Sequence, residues 1–248
     1  MPPPVPPAPF FSPQRIVLIS SILVGGFVLF GFFIKAAVYQ GMGAYYSAMG
    51  LAEYKQGRYD AALADDNLAI EYAPKLGPAY NNRGLVKIAR HDFAGAIADC
   101  SQAITLNPRD AKAYNNRGLA KYYNQDLPAA LADYNQSIGI ETDLDYVFNN
   151  RGLAKNDLKD YAGAIQDFDQ SLKLNSINPG AYNNRGLAEY YLGDNAGALA
   201  DYGKAIKLNP SDEIAYLNRA AANDKLGDTA AATADRAMAA TLKAGGKP

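Results

Sequence analysis

Residues 77–110 read GPAYNNRGLVKIARHDFAGAIADCSQAITLNPRD, and residues 111–144 read AKAYNNRGLAKYYNQDLPAALADYNQSIGIETDL. Set one above the other, the two segments share AYNNRGL at the same place, then an Ala and an Asp further on. The phrase returns as FNNRGL at 148–153 and YNNRGL at 182–187. Glycines 50, 84, 118, 152 and 186, followed by Ala220, fall thirty-four residues apart. So do Ala62, Ala96, Ala130, Ala164, Ala198 and Ala232, and so do Asp65, Asp99, Asp133, Asp167, Asp201 and Asp235. An internal period of this length decides the architecture before any local assignment. Six units, 43–76, 77–110, 111–144, 145–178, 179–212 and 213–246, follow without insertion or deletion.

Each unit carries two apolar stripes at three-to-four spacing, the mark of two amphipathic helices. In the second unit these are Tyr80, Gly84 and Ile88, then Ile97, Cys100, Ala103 and Ile104. The break between them falls at Gly57, His91, Gln125, Lys159, Gly193 and Gly227, where a left-handed residue would close the first helix. Pro74, Pro108 and Pro210 end the second helix, with Thr142 and Ser176 in the equivalent place. The expected fold is all-α.

This pattern resembles the tetratricopeptide repeat, a helix–turn–helix of thirty-four residues with aromatic, Gly, Ala, aromatic and Pro at fixed offsets. The resemblance covers residues 43–246 and implies a right-handed superhelical α-solenoid whose first helices line a concave groove. Stacking is required because one unit cannot bury its own stripe. The last unit has Thr229, Thr233, Arg236 and Ala240 where the fourth has Tyr161, Ile165, Phe168 and Leu172, as a terminal cap should.

The chain departs from the family pattern at two places. Before the glycine, where Leu is usual, stand Arg83, Arg117, Arg151, Arg185 and Arg219, with Met49 in the first unit. Three residues after the glycine, where an aromatic is usual, stand Glu53, Lys87, Lys121, Lys155 and Glu189. The arginines recur together with the aspartates of the second helix. They are expected to form ion pairs within or between units, since an unpaired half-buried Arg is costly.

Advancing 100° per residue puts positions two, five, six, nine, twelve and thirteen of each unit on one face of the first helix. That face holds Asn81, Asn115, Asn149 and Asn183, then Asn82, Asn116, Asn150, Asn184 and Asn218. Leu85, Leu119, Leu153, Leu187, Lys112, Tyr122 and Tyr190 complete the candidate site. Asparagine carries both donor and acceptor, so a row of it can pair with the backbone of an extended chain. In related peptide-binding arrays an asparagine two residues before the glycine does this, and Asn82, Asn116, Asn150, Asn184 and Asn218 match it. The alternative is that these side chains brace neighbouring backbone. At about 0.5–1.5 kcal/mol per hydrogen bond, a few contacts plus Leu and Tyr burial suit micromolar binding. The family's clamp for chaperone C-termini is incomplete: Ser47 and Leu51 replace its first Lys and Asn, and only Lys112 fits its later cations.

Ahead of the repeats, residues 16–34 read IVLISSILVGGFVLFGFFI, nineteen residues without a charge. As a helix they would span roughly 28 Å, close to the thickness of a bilayer core. A cleaved secretory signal would have a shorter apolar run after a basic start. The sequence therefore predicts an uncleaved, single-pass transmembrane helix, with 1–15 a proline-rich tail and 35–42 a linker. Arg15 and the terminal amine against Lys35 bias the array to the non-cytoplasmic side.

With 24 Lys+Arg against 25 Asp+Glu the chain has a formal charge of −1. Nucleic-acid binding draws its affinity from clustered basic residues meeting phosphates, and this balance supplies no excess of them, so a nucleic-acid partner is not expected. One cysteine, Cys100, rules out a disulfide framework. His91 and Cys100 occupy turn and core positions, and no phosphate loop, nucleophile elbow or metal-spaced cluster appears. Neither catalysis nor a cofactor is expected. The sequence supports a membrane-tethered adaptor that binds a protein or peptide in its groove, with assembly of a membrane complex as its expected setting. The alternative is a scaffold that self-associates through its convex face or its ends.

Overall fold

The computed structural model describes the backbone of residues 27–248 and the side chains from Lys35 onward. Among the described residues are twelve helices. The first helices of the six units are α1 (Phe27–Lys55), α3 (Gly77–Ala89), α5 (Ala111–Tyr123), α7 (Asp145–Asp157), α9 (Pro179–Leu192) and α11 (Glu213–Leu226). The second helices are α2 (Tyr59–Tyr72), α4 (Phe93–Leu106), α6 (Leu127–Ile140), α8 (Tyr161–Leu174), α10 (Asn195–Leu208) and α12 (Thr229–Lys243). Each helix packs on the next in sequence. The first helices of neighbouring units also touch each other, while the second helices make no comparable contact. The array therefore closes on the side of its first helices, and these line its inner face.

The turn inside every unit is set by one backbone conformation. Gly57, His91, Gln125, Lys159, Gly193 and Gly227 all have positive φ, between 61° and 88°. Three of the six carry side chains in a region that disfavours them. Gln125→Gly and Lys159→Gly should each raise stability by about 0.5–1 kcal/mol, measurable in thermal melts. After the turn, Asp92, Asp126, Asp160, Asp194 and Asp228 accept a hydrogen bond from the backbone N–H three residues on. This caps the second helix of each unit except the first, where Arg58 offers no acceptor.

The recurring glycine is a matter of space. A Cβ on Gly152 would lie 2.6 Å from Phe168, on Gly118 2.8 Å from Tyr134, and on Gly186 2.9 Å from Tyr202. These rings are fully or almost fully buried and fill the gap between the two helices of a unit. In the last unit the partner position is the exposed Arg236, and the glycine is replaced by Ala220. Gly152→Ala should cost about 1–3 kcal/mol by overpacking. Gly139→Ala, where a Cβ meets nothing within 4 Å, should stabilise slightly, so urea titration of the pair separates crowding from helix propensity.

The N-terminal expectations are met differently. Most of the candidate membrane span, residues 16–26, lies outside the described residues, and 27–34 form the first turns of α1. No helix among the described residues is long and apolar enough to cross a membrane. Residues 35–42, expected as a linker, are helical, and α1 runs unbroken for 29 residues into the first unit. Gly43 does not interrupt it; a Cβ there would come within 2.4 Å of Ala73, so it allows α2 to pack closely. Tyr39, ahead of the first unit, packs edge-on against Tyr72 at the end of α2, and Tyr46 stacks on the same ring.

Candidate functional site

The asparagines of the inner face form a ladder. Asn116 Nδ2 donates to Asn81 Oδ1 at 2.8 Å, Asn150 to Asn115 at 3.0 Å, Asn184 to Asn149 at 3.1 Å and Asn218 to Asn183 at 3.0 Å. At the start, Asn82 Nδ2 donates to the Ser47 carbonyl oxygen and to Ser47 Oγ, both at 3.1 Å. A carbonyl can only accept, so this first rung fixes which end of the Asn82 amide is nitrogen. Each rung joins position six of one unit to position five of the unit before it. Bracing therefore does describe one N–H of every asparagine at position six.

The ladder does not exhaust these groups. Asn82, Asn150, Asn184 and Asn218 are half-buried, whereas Asn81, Asn115, Asn116 and Asn183 are buried. An asparagine amide offers two donors and an acceptor with two lone pairs. One rung leaves the second N–H and the oxygen of Asn150, Asn184 and Asn218 available at the inner face, whereas Asn82, with two acceptors on Ser47, keeps its oxygen. Asn116 is more committed, since its oxygen also accepts from Asn115 at 3.0 Å.

The other candidate residues divide in the same way. Leu85, Leu119, Leu153 and Leu187 are half-buried, and Leu119 and Leu153 pack on the Ile88–Ala96–Ala120 and Ala164–Phe168–Ala188 clusters. Tyr122 and Tyr190 are half-buried against the clusters around Tyr134 and Tyr202. Burial pushes the Tyr122 hydroxyl well above its ordinary range, so it stays protonated. Lys112 is exposed.

Away from the inner face, all five expected Arg–Asp pairs form. The Nε and Nη2 of Arg151 grip both oxygens of Asp167 at 2.9 and 2.6 Å, and the same two-pronged contact recurs from Arg83, Arg117, Arg185 and Arg219. The third nitrogen reaches back one unit: Arg83 to Asn67, Arg117 to Ser101, Arg151 to Asn135 and Arg185 to Asp169. Each guanidinium also lies 5.4–5.6 Å over the ring three residues earlier, from Tyr80 to Tyr216. Lys87, Lys121 and Lys155 add a second cation to the same carboxylate at 2.7–2.8 Å. These arginines are structural, with their donors turned to neighbours rather than to a ligand.

Two breaks in this lattice were not anticipated. In the fifth unit Glu189 stands where the lysine should be; burial and the nearby Asp201 push it up to about 7, and its Oε2 meets no hydrogen-bond donor. In the first unit Met49 replaces the arginine and Glu53 the lysine. There Asp66 occupies the core position held by Cys100 in the next unit, with no exposed surface. Neither of its oxygens has a hydrogen-bond partner among the described residues. Burial raises its carboxyl to about 8, Arg83 opposing and Asp65 and Asp99 adding. Cys100 is equally enclosed; burial pushes its thiol up to about 12, which leaves it unreactive.

Comparison with known proteins fits this geometry. Models of the tetratricopeptide repeat match residues 81–142, 146–178 and 186–227. No curated protein matches the sequence. Among solved structures, PilW, described as a widely conserved type IV pilus biogenesis factor, is similar with a TM-score of 0.73 and 17% identity over 79% of this chain and 90% of that one. The pilF protein of Pseudomonas aeruginosa is similar with a TM-score of 0.71 and 20% identity, again over 79% and 90%. YrrB, described as having an unusual peptide-binding site, gives 0.54 at 17% identity over 68% and 88%. At these identities the structures speak to fold alone. Together with the repeat period and the six identical turns, the family matches show that the chain belongs to the tetratricopeptide repeat proteins.

Proposed function

We propose that this chain is a protein–protein interaction adaptor that holds a peptide or protein partner along its inner face. Residues 16–34 tether it to a membrane, where it serves in assembling a membrane complex. The carrying observation is the ladder: it fixes the amides of Asn150, Asn184 and Asn218 in one orientation while leaving each with a donor and an acceptor, and leaves Asn82 its acceptor. Groups held in place before binding lose little freedom on contact. Half-buried Leu85, Leu119, Leu153 and Leu187 supply apolar contact beside them. That PilW, which shares the fold, is a pilus biogenesis factor and that YrrB has an unusual peptide-binding site supports such a role.

Site-specific photocrosslinkers test the surface. Placed at Lys112 and Asn150 in native membranes, they should capture a partner that mass spectrometry can name, whereas Gln136 on α6 should not. Capture from Gln136 alone would move the binding site to the outer face. The tether is tested separately: the full chain should stay in the membrane pellet through a carbonate wash, and its release would remove the anchor.

A further inference from the structure

A second surface lies at the edge of the array, where the first helix of each unit turns into the second. Tyr123 at the end of α5 stacks on Phe93 of the preceding unit, centroids 5.6 Å apart, with Tyr122 edge-on at 5.3 Å. Two units later the group repeats: Tyr191 stacks on Tyr161 at 5.0 Å, with Tyr190 edge-on at 5.7 Å. Tyr123 and Tyr191 are 48% and 57% exposed, and Leu158, Leu192 and Leu226 at the same turn position are about as open. Five large apolar side chains thus stand along one edge of units three to six.

The charge on this edge is one-sided. The helix caps Asp126, Asp160, Asp194 and Asp228 and the neighbouring Asp157 and Asp224 are exposed there, against Lys159 and Lys225 as the cations of these turns. An open tyrosine face attracts cations, and a carboxylate beside it adds to the attraction. We propose that this edge docks a lysine- or arginine-bearing amphipathic segment of a partner protein. Its cations sit over the Tyr123 and Tyr191 rings beside the aspartate caps, and its apolar side chains lie on Leu158 and Leu192. Neighbouring first helices pack roughly 10 Å apart, so the two tyrosine groups are separated by about 20 Å, the length of a helix of about 13 residues. Tyr123 and Tyr191, at position thirteen, adjoin the inner face at its turn edge, and the proposal makes no use of the asparagine ladder.

The chain contains no tryptophan, so a 16-residue helical peptide of Lys and Leu with one Trp can be followed selectively by its fluorescence against the full chain in non-ionic detergent. Tyr123→Ser with Tyr191→Ser should weaken binding about tenfold. Asp126→Asn, Asp160→Asn and Asp194→Asn together should also weaken it and flatten its salt dependence, while keeping the caps, since asparagine accepts the same backbone hydrogen bond. Gln136→Ala on the outer face should leave it unchanged. Absence of binding, equal binding of a Lys→Glu peptide, or indifference to both sets of edge variants would overturn the proposal. So would sedimentation showing that the chain self-associates through Tyr123 and Tyr191, which would assign the edge to a second copy.

Discussion

Asp66→Cys should stabilise the first unit by several kcal/mol more at pH 8 than near pH 4. The substitution installs what the next unit already carries: Cys100 is fully buried against Gly84 at the equivalent position. The sign follows from proton counting. An ordinary aspartate ionises at 3.8, and burial lifts Asp66 to about 8. Between those values the unfolded chain has released a proton that the folded chain still holds. Stability contributed by this group is therefore complete below about pH 4, falls as pH rises, and is lost by about pH 8, at about 1.4 kcal/mol per unit. The end unit of a solenoid can open alone, so amide exchange in α2 is the measurement. Exchange that keeps its wild-type pH dependence in the variant would show that Asp66 is not the group responsible.

Removing Arg185 should be the most damaging single truncation in the charge lattice. Arg185→Ala leaves Asp201 buried without its two-pronged partner, and frees Asp169 and the Tyr182 ring as well. Breaking a buried pair from one side costs about 3–5 kcal/mol. Arg151→Ala should cost less, because Lys155 still holds Asp167 at 2.8 Å. No such lysine exists in the fifth unit, where Glu189 adds a third acidic group. Glu189→Lys should therefore recover at least about 1 kcal/mol in the Arg185→Ala background. Alone it should stabilise more at pH 8 than at pH 5, since Glu189 titrates near 7 and its favourable neutral form is lost as pH rises through that value. A urea double-mutant cycle reads both quantities; equal costs for Arg151→Ala and Arg185→Ala would remove the role assigned to Glu189.

Much of this was legible in the sequence because a thirty-four-residue period aligns equivalent positions. The left-handed turn residues recur in six units, the Arg–Asp pairs in five and the Gly-to-aromatic packing in three, each on one register, so the copies reinforce one reading. The asparagine ladder escaped because its partners are thirty-five residues apart. That offset appears only when neighbouring first helices lie side by side and position six meets position five. The aspartate caps were hidden by the stronger turn signal one residue earlier. Residues 35–42 read as a linker because they fall between the apolar run and the first repeat, yet they are helical, and Gly43 after them is required by the close approach of Ala73. Asp66 was unreadable as an anomaly, since an aspartate beside Asp65 on a helix looks solvated until packing places it opposite Gly50.

The unbroken α1 has a mechanical consequence. Because Tyr39 is clasped by Tyr72 and the backbone continues helically from Phe27 into the first unit, the array is mounted on a shaft. Its azimuth follows from residue count: one inserted residue near Ala36 would swing it by about 100°, and two would turn it to face nearly the opposite way. Three or four would bring it back almost to where it began. Whatever grips the first turns of α1 thereby sets the direction in which the inner face looks.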